Sequence, residues 1–454
     1  MKRRHSDKKR DRTGRLPRNA APVELEISHV GARGDGVGTA SWRHNHVTSD
    51  HAVFVPASLP GERVVAQPVS VSGQGLKTVL TEILTPSPQR RDPDCKVFPA
   101  CGGCTLQHWQ DDAVTAWKQD LVAGFLARAG VDIDGFESPH ISPRGSRRRA
   151  GFHLKRLAGG VAAGFLERGS NRIIAPQDCS VLRADLIRLL ERLAELASRH
   201  FPLGVAIDAQ ANGLDNGICL LLSGPDGWHD GLREQLAGWA VEAGLARLSV
   251  SDGGPPLTLL APAPPVLQLG GIAVTPPPGA FLQATQDAEA ALQQAVVDIV
   301  GKPARVLDLF AGCGTLGLPL LAGLSQLTAA ESDHAALTAL KQAVSAAGRG
   351  AQLACIRTDL MEAPLMDGDL DGFDAVILDP PRAGAAAQCA RLAASSVPVI
   401  AMVSCNPATF ARDAATLIAG GYRIGRPRII DQFRFSSHVE IVAGFSRTGS
   451  GAPS

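Results

Sequence analysis

The chain has 454 residues, enough for two or three domains and a substantial core. Its 45 basic residues nearly cancel its 44 acidic ones, so overall charge selects no class of partner. No apolar run approaches the roughly 20 residues of a membrane span, and no secretory apolar segment follows the start. The chain therefore reads as cytoplasmic, where nine cysteines are thiols, metal ligands or catalytic groups rather than disulfides.

Charge is uneven along the chain. Lys2, Arg3, Arg4, Lys8, Lys9, Arg10, Arg12, Arg15 and Arg18 crowd residues 1–19, which reads as a disordered basic tail suited to phosphate backbones. Short strands are expected at Val23–Ile27, Ala52–Val55, Arg63–Ala66 and Lys77–Leu80, with a flexible glycine turn at Gly31, Gly34, Gly36 and Gly38. That spacing predicts a small barrel of the oligonucleotide-binding type over 20–86. A proline-marked linker opens a mixed α+β region over 87–270, with helices predicted at Ala113–Ala129 and Arg183–Arg199. From Ala304 the texture becomes alternating buried strands and helices. Val306–Phe310, Leu327–Glu331, Gln352–Arg357, Ala375–Leu378 and Val397–Val403 predict an α/β, doubly wound parallel sheet within 271–447.

The run from Asp308 to Gly317 places a glycine turn between a strand and an apolar helix, where a ligand can approach the backbone. Glu331 ends the next strand and is placed to accept hydrogen bonds from ribose hydroxyls. Gly312-x-Gly314-x-x-Gly317 alone also fits a nicotinamide enzyme. Asp379-Pro380-Pro381-Arg382, after the fourth strand, argues against that rival and for an S-adenosylmethionine enzyme. Cys405, on the turn ending the fifth strand, is a candidate nucleophile. Ser437–Ile441 is predicted as a strand with His438 and Glu440 on one face. Arg382 and Arg412 are candidates to help the thiol ionise.

Asp379–Arg382, Ser404–Asp413 and Ser437–Glu440 resemble the RNA uracil-5-methyltransferase family, which includes 23S rRNA and tRNA T-loop enzymes. The resemblance extends to Phe281-Leu282-Gln283 and to a first domain like the RNA-binding TRAM barrel. It implies a Rossmann-like class I methyltransferase domain using S-adenosylmethionine and acting on structured RNA, 23S rRNA before tRNA, with no stable protein partner. It implies Cys405 as nucleophile toward carbon 6 of uracil and Glu440 as acceptor of the carbon-5 proton, with His438 the next candidate. Gln283, Phe310, Thr315, Glu331, Asp359 and Asp379 would bind the cofactor. Two departures stand out: Thr285 replaces a family asparagine, and Ala339–Ala343 lacks another.

Cys95-x5-Cys101-x2-Cys104 and Cys179 supply four thiols, a set that can hold an iron–sulfur cluster or zinc. The first gap suits neither a zinc ribbon nor a radical enzyme. One branch of the resembled family binds a [4Fe-4S] cluster with this spacing, which makes 87–270 an iron–sulfur domain. Arg147-Arg148-Arg149 reads as an RNA phosphate contact. A silent RNA-binding protein, the rival of another class, should lack Cys405 or Glu440 in context. This chain keeps both.

Overall fold

The computed structural model describes residues 14–16, 20–44, 47–225 and 227–447. The basic side chains expected at positions 2–12 and 18 lie outside them. The chain divides into two compact units: one holds the residues up to Asp94 with Gly103–Trp117 and Phe435–Ser437, the other Cys95–Gly102, Lys118–Arg434 and everything from His438.

The first unit is built on β1 (Gly14–Arg15), β2 (Val23–Val30), β3 (Gly36–His44), β4 (Val47–Val55), β5 (Arg63–Ser72) and β6 (Gly75–Thr85). Strands β5-β2-β3-β4-β6 close on themselves through a β6–β5 pairing, with β4 and β6 parallel. This is the closed, OB-like barrel expected from the strand spacing. Val23, Leu25 and Ile27 alternate inward along β2 and pack with Val53, Val64 and Leu76. Two expectations change. Gly14–Arg15 pairs with β5, so ordered sheet begins inside the stretch assigned to the tail. Gly36 and Gly38 belong to β3 rather than a turn; a Cβ at Gly38 would lie 2.3 Å from the Glu26 carbonyl oxygen, so packing requires glycine there.

Among the described residues, the second unit contains two large sheets and a two-stranded hairpin. The central one runs β10 (Ile173–Ile174), β9 (Gly160–Leu166), β8 (Arg149–Leu157), β11 (Ala206–Leu214), β12 (Gly217–Ser223), β13 (Arg247–Ser251) and β14 (Leu257–Leu260). Helices α2 (Ala184–His200) and α3 (Asp230–Glu242) belong to its core. In α2, Leu186, Leu189, Leu190, Leu193 and Leu196 recur at helical spacing and bury one face. Helix α1 (Asp111–Arg128) precedes this region, and a small hairpin of β15 (Leu267–Leu269) and β16 (Ile272–Val274) follows it.

The larger sheet has the order β19 (Leu353–Arg357), β18 (Gln326–Glu331), β17 (Arg305–Leu309), β20 (Ala375–Leu378), β21 (Val399–Ser404), β24 (Glu440–Arg447), β23 (Arg428–Asp431) and β7 (His140–Ile141), with β22 (Tyr422–Ile424) also on β24. The first five strands are parallel, and β24 returns antiparallel beside β21. Along β20, Ala375 and Ile377 face a core with α4 (Gln286–Val300) and α5 (His334–Ala346), while Val376 and Leu378 face α6 (Ala386–Ala394) and α7 (Pro407–Ala419). Helices on both faces explain why these strands read as unbroken apolar runs. Each fully buried Leu or Ile contributes about 1.5–3 kcal/mol. The expected boundary near 270 is not absolute, because β7 pairs with β23 and so joins the larger sheet.

Candidate active site

From β17 the chain winds to β18 and β19 on one side and then to β20 and β21 on the other, so a crevice opens at the C-terminal ends of these parallel strands. Phe310 leaves β17 with φ +62°, and Gly312 and Gly314 follow with φ +53° and +87°. This left-handed run costs little at glycine and turns the backbone N–H of Gly312 toward Glu331, whose carboxylate accepts it at 3.0 Å. The other Glu331 oxygen accepts from the backbone N–H groups of Ser332 and Asp333. Gln283, Asp308, Phe310, Thr315, Glu331 and Asp379 line one cavity of about 190 Å³. Asp308 is 2% exposed, and burial, then the charge of Asp379, pushes its carboxyl up to about 8. Burial raises Asp379 as well.

Cys405 directly precedes Asn406, the N-cap of α7, whose side chain accepts from Ala408 N–H at 3.1 Å. The Asn406 amide also donates to the Arg382 carbonyl at 2.9 Å, tying the Asp-Pro-Pro-Arg loop to the thiol turn. Burial pushes the Cys405 thiol up and the charges of Glu440 and Asp379 add to this, while the charge and hydrogen bond of Arg382 oppose it. Glu440 is 4% exposed; burial, then Asp379, raises its carboxyl, and Gln432 and Arg382 pull it down.

Arg382 takes the assisting role and Arg412 does not. Arg412 binds Asp413 and the Ala383 carbonyl, while Asp413 accepts from Ala385 N–H at 2.8 Å, so this pair braces the loop. His438 also departs from expectation: β24 starts at Glu440, and His438 precedes it, its Nδ1 2.6 Å from the Arg382 guanidinium.

A hydrogen-bonded chain that sequence reasoning missed links the cavity to Glu440. Gln432 donates to Gln283 at 2.6 Å and to Glu440 at 2.9 Å, and accepts from Ala284 N–H at 2.6 Å. Arg148, expected to meet RNA, is instead buried on Glu289 at 2.6 Å and donates to the Gln283 carbonyl. Arg149 stacks on Phe281, 4.6 Å from the ring centre. Thr285 caps α4 by accepting from Ala288 N–H at 3.3 Å; asparagine would cap equally well, so the departure at this position preserves the helix start.

Cys405, Glu440, Gln283, Phe310, Thr315, Glu331 and Asp379 thus come to one end of one sheet. Asp359 does not join them. Its side chain accepts from Met361 N–H at 3.0 Å in the turn after β19, and it does not line the cavity. Gln432 carried no sequence signal beyond its place in Asp431-Gln432-Phe433, a short polar interruption of a buried strand end.

Residues 276–447 match the family described as tRNA (Uracil-5-)-methyltransferase. An uncharacterized RNA methyltransferase of Brucella suis is 38% identical over 420 residues, covering 92% of this chain and 97% of its own. The 23S rRNA (uracil(1939)-C(5))-methyltransferase RlmD of Pseudomonas putida is 33% identical, covering 86% of this chain and 88% of that protein. Pyrococcus abyssi tRNA (uracil-54, C5)-methyltransferase, solved with S-adenosyl-L-homocysteine, shares the fold with a TM-score of 0.68 at 22% identity, over 93% of this chain and 99% of that one. The chain belongs to the RNA uracil-5-methyltransferase family.

Proposed function

We propose that this RNA uracil methyltransferase works in the cytoplasm and methylates carbon 5 of one uridine in 23S rRNA, through a covalent bond between Cys405 and carbon 6. What carries the reading is the mutual influence of Cys405, Glu440, Asp379 and Arg382 beside a cavity of cofactor-binding character. The preference for 23S rRNA is supported by the likeness to RlmD. The N-terminal barrel is the RNA-binding TRAM module in this reading.

Carbon 5 of uracil is a poor nucleophile. Addition of the Cys405 thiolate to carbon 6 converts it to an enolate-like centre. S-adenosylmethionine, held in the cavity, would supply the electrophilic methyl to carbon 5, its sulfonium sulfur keeping the electron pair of the broken S–CH3 bond and leaving as S-adenosyl-L-homocysteine. Glu440 then takes the proton from carbon 5, the carbon–sulfur bond breaks, and the electron pair returns to Cys405 as thiolate. Arg382 favours the thiolate before addition and after release. Glu331 would receive the ribose hydroxyls of that cofactor, and Asp379 would border its methyl.

The same reading assigns Cys95, Cys101, Cys104 and Cys179 to a [4Fe-4S] cluster. Its support is the spacing, the soft thiolate donor set, the burial of Cys95 and Cys101, and the charge of Cys95 acting on the half-buried Cys179. Among the described residues, no three or more His, Cys, Asp or Glu side chains stand in ligating geometry. The assignment therefore rests on chemistry and spacing, and no step of methyl transfer runs through it.

Mapping 5-methyluridine in rRNA and tRNA, with and without the gene, tests the substrate. Loss of one 5-methyluridine in 23S rRNA is expected. Loss confined to the tRNA T-loop moves the substrate to tRNA, and loss from neither defeats the proposal.

A further inference from the structure

Ala284 N–H can only donate, and it meets Gln432 Oε1 at 2.6 Å. That contact fixes the orientation of the amide, so Nε2 faces the two acceptors Gln283 Oε1 and Glu440 Oε2. Both amide hydrogens are then committed. Gln283, Gln432 and Glu440 are each no more than 4% exposed, so water does not readily replace these bonds. Two consequences follow from donor and acceptor counting. Oε2 of Glu440 receives a hydrogen and cannot carry one of its own without a donor–donor clash, so the proton that Glu440 exchanges belongs on Oε1. Gln283, its carbonyl engaged, has its amide Nε2 left to donate to an acceptor in the cavity it lines.

We infer that Gln432 is a positioning residue that orients the Glu440 carboxyl so that its Oε1 exchanges the substrate proton, and that couples it to Gln283 on the cofactor cavity, an inference that rests on the reading of Glu440 as the base. The charged and titratable groups facing Glu440 are Asp379 and Arg382 from the loop after β20 and Cys405 from the turn after β21. Asp379 opposes ionisation of Glu440 and Arg382 favours it. Gln432 adds a neutral donor that favours the ionised form without bringing charge.

The test uses the full-length enzyme and a uridine-containing RNA substrate with methyl-labelled S-adenosylmethionine. Gln432→Glu keeps the shape and the acceptor for Ala284 N–H but removes the donor and adds a buried carboxylate. Gln432→Leu removes the polar group altogether. Single-turnover assays follow label entering the protein–RNA adduct and, separately, label leaving as free RNA. The inference expects labelled adduct to accumulate, its release to slow roughly tenfold or more, and the pH midpoint of release to move upward in both variants. Cofactor should also bind several-fold more weakly to Gln432→Leu, because Gln283 loses its partner. Release with an unchanged rate and pH midpoint in Gln432→Glu, in protein that melts like the parent, overturns the inference. Glu440→Gln is run in parallel. If it leaves release unchanged, the base reading itself fails and this inference falls with it; if it slows release while both Gln432 variants do not, only the coupling fails.

Discussion

Arg382 Nη2 stands 2.6 Å from His438 Nδ1. A guanidinium has donors only, so Nδ1 must accept and His438 must be neutral in this arrangement. Burial and then the charge of Arg382 hold the imidazole below its usual value. With Nδ1 accepting from the guanidinium and the imidazole held below its usual value, His438 is a weak general base, which supports the proposed role of Glu440. Glu440→Gln should therefore add the thiol and transfer the methyl, yet release product very slowly and accumulate a protein–RNA adduct on ordinary RNA. Gel shift under denaturing conditions reads the adduct. Unchanged release, with His438→Ala slowing it instead, would move the base.

Cys405→Ala should keep RNA and cofactor binding and lose all turnover. Cys313 and Cys389 offer no substitute: burial holds the Cys313 thiol up to about 12 and pushes the Cys389 thiol up as well. With 5-fluorouridine RNA the wild type should trap an adduct that carries the transferred methyl, since fluorine cannot leave as a proton does. Methylation by Cys405→Ala at a rate near the parent's would defeat the covalent mechanism.

Removing the Arg382 charge acts on the thiol in a known direction. Burial, Glu440 and Asp379 all raise the Cys405 thiol, and Arg382 opposes them through charge and a hydrogen bond. Arg382→Ala should raise the thiol further, so alkylation of Cys405 near neutral pH should slow several-fold and its pH profile shift upward. Arg412→Ala is the control, since Arg412 braces the loop through Asp413. Equal shifts in both variants would mean that loop geometry, not the Arg382 charge, sets thiol reactivity.

How much of this was legible in the sequence depends on which contacts are local. Strand and helix positions from 304 onward followed from unbroken apolar runs, because a sheet covered on both faces needs them. Cys405, Glu331 and Asp379 were visible because each ends a strand, and strand ends in such a sheet converge. Gln432 and Arg148 were not, because their roles come from partners 149 and 141 residues away in sequence. His438 was misplaced for a different reason: alternation in Ser437–Ile441 suggested a strand, and the Arg382 contact holds His438 outside it. Asp359, carried over from resemblance, lies in the turn after β19, where one carboxylate oxygen accepts from Met361 N–H.

Raised carboxyls at the candidate site also predict a pH dependence of stability. Asp308 is pushed up to about 8, and Asp379 and Glu440 are raised by burial. Unfolded carboxyls titrate near pH 4. Between there and about pH 8 these carboxyls hold more protons in the folded chain than in the unfolded one, so their contribution to stability falls as pH rises through that window, by an amount on the order of a few kcal/mol, while His108 and His438, held low by burial, act the opposite way below the ordinary imidazole value. Denaturation midpoints of cofactor-free protein measured across the window should decline with pH, and Asp308→Asn should flatten the decline. A midpoint that rises with pH in the parent and is unaltered in the variant would contradict the burial argument.

The cysteine assignment is tested by composition before activity. Protein purified without oxygen should be brown and hold iron and sulfide at about four each per chain, as a [4Fe-4S] cluster on four thiolates requires. Replacing Cys95, Cys101, Cys104 or Cys179 by Ser should remove the cluster and lower stability, because ligand binding is coupled to folding. Loss of activity in these variants should track loss of folded protein or RNA affinity, while molecules that still bind RNA transfer methyl at the parent's rate. The proposed mechanism gives the reason: its addition, methyl transfer and elimination move electron pairs and protons among Cys405, Glu440 and the uracil, and none of those steps consumes or delivers a single electron. One zinc per chain with no iron after anaerobic preparation would overturn the cluster and leave the Cys405 mechanism standing.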